Sequence, residues 1–119
     1  MSKILINATH ARDDAERATL PFVVGNVAAT ADQETVVLLT IEGTWLGTKG
    51  YADSIHKDGF QPLNDVLQAF VQNGGQIWAC GACTKPRGIT DDDLVDGAKI
   101  VTAANVVEYM TSGATTLNF

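Results

Sequence analysis

Thr35-Val-Val-Leu-Leu-Thr-Ile41 is the clearest strand of the chain, because β-branched side chains dominate it and suit a pleated surface. Upstream, the segment from 15 to 31 is rich in Ala and Val and reads as a helix. Asp13 or Asp14 is placed to cap it, and Glu16 falls in its first turn. Pro21 is a misfit there, since inside a helix it removes a hydrogen bond and crowds the preceding turn. A kink is expected, or a restart with Thr19 as cap. Before the helix, Lys3-Ile-Leu-Ile-Asn7 is apolar nearly throughout, as a parallel strand covered on both faces would be. Downstream, Gly43 to Gly59 is a long Gly-rich connection holding Trp45, Tyr51, His56 and Lys57. Long loops in compact domains are often functional.

Leu63, Val66, Leu67, Phe70 and Val71 recur at helical spacing between Pro62 and Asn73. Pro62 suits the first turn and Gly74-Gly75 the stop. Gln76-Ile-Trp-Ala-Cys80 follows as a strand, and Asp91-Asp-Asp-Leu94 as a short helix start. Ala98 to Val101 is a fourth strand, Ala103 to Met110 a helix ended by Ser112-Gly113, and Thr115 to Asn118 a fifth strand. The order β-α-β-α-β-α-β-α-β predicts an α/β fold: a three-layer α/β/α domain with a mostly parallel five-stranded sheet and flavodoxin-like layering. In such sheets ligands meet the carboxyl ends of the strands. The loops that begin near Thr9, Gly43 and Cys80 share that edge.

The chain has 119 residues, the size of one domain spanning 1–119, and 45% of them are apolar, enough for a packed core. Its net charge is −6 with scattered basic residues, which argues against nucleic acid or an anionic membrane as a direct partner. No apolar run approaches the ~20 residues that span a bilayer. The apolar stretch after Lys3 is interrupted at Asn7 before a secretory core could form. The expectation is a cytoplasmic protein whose thiols stay reduced.

Two close cysteines in that setting point to reactivity or metal before a structural disulfide. Cys80-Gly-Ala-Cys83 ends a buried strand and is followed by Lys85, Pro86, Arg87 and Gly88. Three chemistries use this spacing: thiol–disulfide exchange, in which one sulfur attacks the disulfide formed by the other, zinc binding, and carriage of sulfur as a persulfide. Zinc usually takes four ligands, and only one pair is present, with His10 and His56 far apart in sequence. A cysteine leaving a strand toward a helix meets free backbone N–H groups that favour a thiolate, and Lys85 and Arg87 add positive charge. Gly81 and Gly88 permit close backbone approach or unusual dihedrals. The bland reading is two small buried hydrophobes beside a sheet.

At this point the residues resemble a known family, the DsrE-like group of sulfur-metabolism proteins. The likeness is carried by Asp13-Asp-Ala-Glu-Arg-Ala-Thr-Leu-Pro-Phe22, Trp45-Leu-Gly-Thr-Lys-Gly-Tyr51, Cys80-Gly-Ala-Cys-Thr-Lys-Pro-Arg-Gly88 and Gly113-Ala-Thr-Thr-Leu-Asn-Phe119. Together they span nearly the full length in the family's order. The resemblance implies a single α/β/α domain assembled as trimers or hexamers, homomeric or mixed. It also implies sulfur carried as a cysteine persulfide in relays between donor and acceptor proteins. In relay members the carrier cysteine precedes an Arg-Gly pair by a fixed step. Cys80 stands at that step before Arg87-Gly88 and so inherits the carrier role. Cys83 has no counterpart in some relay members; it resolves a Cys80 persulfide or disulfide, or merely packs. A carrier needs no turnover of its own and no cofactor.

Other residues carry weaker signals. His10 and Arg12 either contact a sulfur donor and tune Cys80 or belong to a solvated loop. Glu42 either approaches Cys80, where a carboxylate would accept a thiol proton, or serves a cap or an interface. Trp45 and Tyr51 wall a pocket or fill a subunit interface, the latter preferred. Trp78 is core or interface, and Phe60, Leu67 and Phe70 are core. Asp91-Asp-Asp93 is a solvated helix start rather than a metal cluster. No phosphate loop is present, since Gly43-Thr-Trp-Leu-Gly47 lacks the Lys-Ser/Thr ending. Two functions compete with sulfur carriage: a dithiol redox protein using Cys80 and Cys83, and a non-catalytic oligomeric binding subunit.

Overall fold

The computed structural model describes residues 2–119. Five strands form the sheet: β1 (Lys3–Ala8), β2 (Glu34–Leu39), β3 (Gln76–Cys80), β4 (Ala98–Val101) and β5 (Ala114–Asn118). Their order is β4-β3-β2-β1-β5, and every pairing is parallel, where a mostly parallel sheet was expected. From β1 to β4 the chain steps steadily toward one edge. Right-handed crossovers therefore put α1 (Ala15–Thr30) and α2 (Leu63–Gln72) on the same face. The return from β4 to β5 crosses back over the opposite face and carries α4 (Ala103–Thr111).

The core divides accordingly. Alternate residues Ile6, Val37, Leu39 and Ile77 meet Ala18, Phe22 and Ala29 of α1 and Leu63, Val66, Leu67 and Phe70 of α2. Phe22 and Phe70 meet edge to face, with centroids 5.9 Å apart. On the other face Leu5, Val36, Leu38, Trp78 and Val101 pack beneath Tyr109 of α4. Trp78 and Tyr109 also meet edge to face, 5.2 Å apart.

Two local expectations are corrected. The helix runs unbroken from Ala15 through Pro21 to Thr30, and Thr19 does not restart it. Asp14 is the cap, accepting from the Arg17 N–H at 3.0 Å, while the buried Thr19 hydroxyl donates to the Ala15 carbonyl. Pro21 costs the helix one hydrogen bond, but it lies on the buried face with Ala18, Phe22 and Gly25, and packing holds the helix together. The second strand stops at Leu39 rather than Ile41. Ile41 turns the chain with a left-handed φ of 56°, opening a 3-10 helix over Ile41–Gly47. The Gly-rich connection is thus built from two 3-10 turns, the second at Tyr51–Ser54.

Candidate functional site

The carboxyl ends of β1, β2 and β3 open on one edge of the sheet, as the alternation of elements requires. Cys80 is the last residue of β3 and the cap of a short turn, α3 (Gly81–Thr84), which contains Cys83. Both cysteines are free and partly exposed. Along β3 side chains alternate: Ile77 faces the α1–α2 layer and Ala79, on the same face, packs with Ile89 and Leu94, while Trp78 faces α4. Cys80 follows Trp78 on that α4 side, paired in register with Val101. Gly81 at the next position allows close approach, since a Cβ there would stand 3.1 Å from the Val101 carbonyl oxygen, a tight contact. Gly88, at φ 69°, closes the 3-10 turn Lys85–Arg87 that continues α3.

The contacts of this turn differ from the simple expectation. Cys80 makes no side-chain hydrogen bond to the amides of the turn it caps. The amide–sulfur contact falls on Cys83 instead: the Ile41 N–H donates to Cys83 Sγ at 3.2 Å. Arg87 stitches the same two segments together. Its Nη1 donates to the Cys83 carbonyl and its Nη2 to Glu42 Oε1, each at 3.1 Å. Glu42 therefore pairs with Arg87 rather than serving the Cys80 thiol. The reason is the turn at Ile41, which swings residue 42 off the line of β2 and over the cysteine turn. The ion pair is half-buried, and Glu42 offsets the charge that Arg87 was expected to lend a thiolate.

Cys80, Cys83, Gly81, Arg87, Gly88 and Glu42 thus converge. The other two named residues stand aside. Lys85 is exposed. The His10 ring Nδ1 lies 2.7 Å from Asp13 Oδ2, and no hydrogen bond joins it to either cysteine among the described residues. The Asp13 carboxyl is held below its ordinary range by the Ala11 N–H and by His10. Arg12 is exposed in the turn after β1, where its guanidinium lies 4.0 Å over the Tyr51 ring and donates to Ser54. Tyr51 in turn stacks on Trp45, with centroids 5.9 Å apart and 14° between planes. These side chains and Lys49 line an open cleft of about 410 Å³. A second cleft of about 370 Å³ runs from Trp45 to Arg87 and Gly88. Ile41 was missed by sequence reading, because a β-branched residue at the end of a β-branched run carries no sign of a left-handed turn.

No group of three or more His, Cys, Asp or Glu side chains among the described residues is arranged to hold a metal ion. No helix among them is long and apolar enough to cross a membrane.

A profile of the DsrE/DsrF-like family matches residues 2–119. The chain belongs to the DsrE/DsrF-like family. The uncharacterized protein MJ0760 of Methanocaldococcus jannaschii is 26% identical over 110 residues, which cover 92% of this chain and 40% of that protein. The chain thus spans less than half of that relative's length. The uncharacterized protein MK0008 of Methanopyrus kandleri is 26% identical over 95 residues, 80% of this chain and 75% of the relative. Solved structures share the DsrE-like fold over the whole of both chains. They include the ychN protein from E. coli, at a TM-score of 0.82 and 22% identity, and a protein of unknown function from Methanobacterium thermoautotrophicum, MTH1491, at 0.77 and 18%. At these identities the likeness concerns the fold.

Proposed function

We propose that this single DsrE-like domain is a cytoplasmic sulfur carrier, which holds sulfane sulfur as a persulfide on Cys80 and passes it to an acceptor protein. The observation that carries the reading is a free, partly exposed cysteine at the carboxyl end of a central strand, seven residues before Arg87-Gly88 in a DsrE/DsrF-like chain. The Cys80 thiolate attacks the terminal sulfur of a donor persulfide or polysulfide. A bond forms between Sγ and that sulfur, and the donor leaves as its thiolate. Transfer to the acceptor repeats the step with the roles reversed. Neither step needs a cofactor or an independent turnover.

Carriers of this kind act within assemblies, and a homo-oligomer, trimer or hexamer, is the proposed form. Val107, Met110 and Leu117 support it, as large apolar side chains left 57%, 44% and 43% exposed on α4 and β5.

The test is intact-protein mass spectrometry after anaerobic incubation with inorganic polysulfide and desalting. A reductant-labile gain of one sulfur is expected in Cys83→Ser and not in Cys80→Ser. No gain in Cys83→Ser, with Cys80 still open to alkylation, would remove the carrier role.

A further inference from the structure

Two features of the cysteine turn are left unexplained by carriage on Cys80 alone. One is the hydrogen bond from the Ile41 N–H to Cys83 Sγ. The other is the backbone that aims it. Ile41 is β-branched, sits at φ 56° and leaves 55% of its surface exposed. A left-handed conformation costs an L-residue roughly 1–2 kcal/mol, and burial of so exposed a side chain offsets little of it. What the conformation does achieve is to point a peptide N–H at a sulfur atom. Arg87 then holds the arrangement shut, because it bonds both Glu42, the neighbour of Ile41, and the carbonyl of Cys83.

The placement relative to Cys80 follows from the register. Leu39 pairs with Ala79, so Thr40 and Cys80 stand side by side one step further, and Ile41 is the next residue on β2's side. The Cys83 sulfur held at the Ile41 amide therefore lies over the ends of the same two strands from which Cys80 emerges. Cys80 caps the turn with extended backbone and Cys83 is the turn's third residue, and this two-residue separation is the spacing that thiol–disulfide exchange uses.

We infer that Cys83 is the thiolate that cleaves a persulfide on Cys80, with Ile41 as its positioning residue, so that sulfur finding no acceptor leaves the protein as sulfide. This inference rests on the carrier reading of Cys80. In the step, Cys83 Sγ attacks Cys80 Sγ. The Sγ–Sγ bond forms, the bond from Cys80 Sγ to the sulfane sulfur breaks, and that sulfur departs with the bonding pair as hydrosulfide. The two cysteines are oxidised to a disulfide and the sulfane sulfur is reduced, so no outside oxidant takes part. An external dithiol then restores both thiols by exchange, itself becoming the disulfide. The chain would thus stand between a reaction that supplies sulfane sulfur and a dithiol reductant that resets it.

The experiment is a single-turnover assay under anaerobic conditions. Protein is loaded with inorganic polysulfide, desalted at once, and followed by released sulfide and by intact mass. The wild type is expected to release one sulfide per chain and to end two hydrogens lighter, with neither cysteine open to alkylation. Cys83→Ser and Cys83→Ala are expected to keep the sulfur on Cys80 and release none. Ile41→Pro has no N–H to give and is expected to slow release at least about tenfold, while Ile41→Gly, which keeps the N–H and takes a positive φ freely, restores it. Arg87→Gln, which alters no residue of the strained turn, is expected to slow release as well, and it carries the positioning test should Ile41→Pro fail to fold. A wild type that holds a stable Cys80 persulfide and releases no sulfide overturns this inference and leaves the carrier reading intact. Equal release rates in Ile41→Pro and wild type, or in Arg87→Gln if Ile41→Pro does not fold, remove the positioning role. Failure of both Cys83 variants to take up sulfur overturns the carrier reading, and this inference falls with it.

Discussion

At Ile41 and Gly43 two adjacent constraints shape the site residue by residue. The left-handed turn at Ile41 is carried by a side chain poorly suited to it and largely exposed. Asn tolerates that conformation far better than a β-branched residue. Ile41→Asn is therefore expected to raise stability by about 1 kcal/mol, read as a higher urea midpoint. A lower midpoint would mean that the Ile41 side chain contributes packing after all. Gly43 works by closeness: a Cβ there would fall 2.0 Å from the Ala8 carbonyl oxygen, a backbone atom that cannot swing away. Gly43→Ala is expected to cost at least about 2 kcal/mol and to lift the 3-10 helix Ile41–Gly47 from the end of β1. Thermal melting checks the first effect, and faster alkylation of Cys83, whose amide contact loosens, checks the second. Gly81 and Gly88 were legible as places of close approach or unusual dihedrals, the first standing near the Val101 carbonyl and the second at φ 69°, whereas Gly43 carried no such sign. Which glycine faced which carbonyl was not legible, since that depends on strand order.

Among the elements, the helices show how local signals and packing divide the work. The end helix α4 begins at Thr102, whose hydroxyl accepts from the Asn105 N–H while the Asn105 side chain accepts from the Thr102 N–H. Only Tyr109 of this helix is buried, so its stability leans on the cap more than on the core. Thr102→Ala is expected to cost about 1 kcal/mol and to fray α4 first, measurable as faster amide exchange there than in α1. The converse holds in α1, where Pro21 is tolerated because seven residues of the helix are buried. Local propensity offered a kink or a restart at Thr19, and the restart does not occur because packing carries the helix through Pro21. Strand ends behaved in the same way: Thr40 and Ile41 belong by propensity to β2, yet the Thr40 N–H makes the last bond to β1, at the Ala8 carbonyl, and Ile41 turns away.

Over the whole molecule, the strand order leaves two helices on one face of the sheet and a single short one on the other. Trp78 and Val101 are covered, but Val107 and Met110 of α4 remain open, and a homo-oligomer built on this face is the natural way to cover them. Met110→Glu is expected to shift the sedimentation coefficient toward that of a monomer, and an unchanged value would exclude this surface from the assembly. Acid sensitivity is also a property of the whole chain. Asp13, Asp14 and Asp93 are held below their ordinary 3.8, chiefly by the backbone N–H groups of Ala11, Arg17 and Thr90 respectively. Each has a lower pKa folded than unfolded, so its contribution is complete above the unfolded value and is lost as pH falls through the folded one. The urea midpoint is expected to hold level from neutrality to about pH 5 and to decline from about pH 4 downward, and a level midpoint to pH 2 would contradict it. The amino-acid sequence by itself determined the alternation of strands and helices, and with it the α/β/α layering, the edge where the loops meet and the cysteine pair at that edge. Those are matters of periodicity and turn chemistry, which are written locally. Only the tertiary structure decided that β2 ends at Leu39, that Glu42 goes to Arg87 and that a backbone amide reaches Cys83 rather than Cys80. Those contacts join residues more than forty positions apart, and their geometry exists only once the strands have chosen their neighbours.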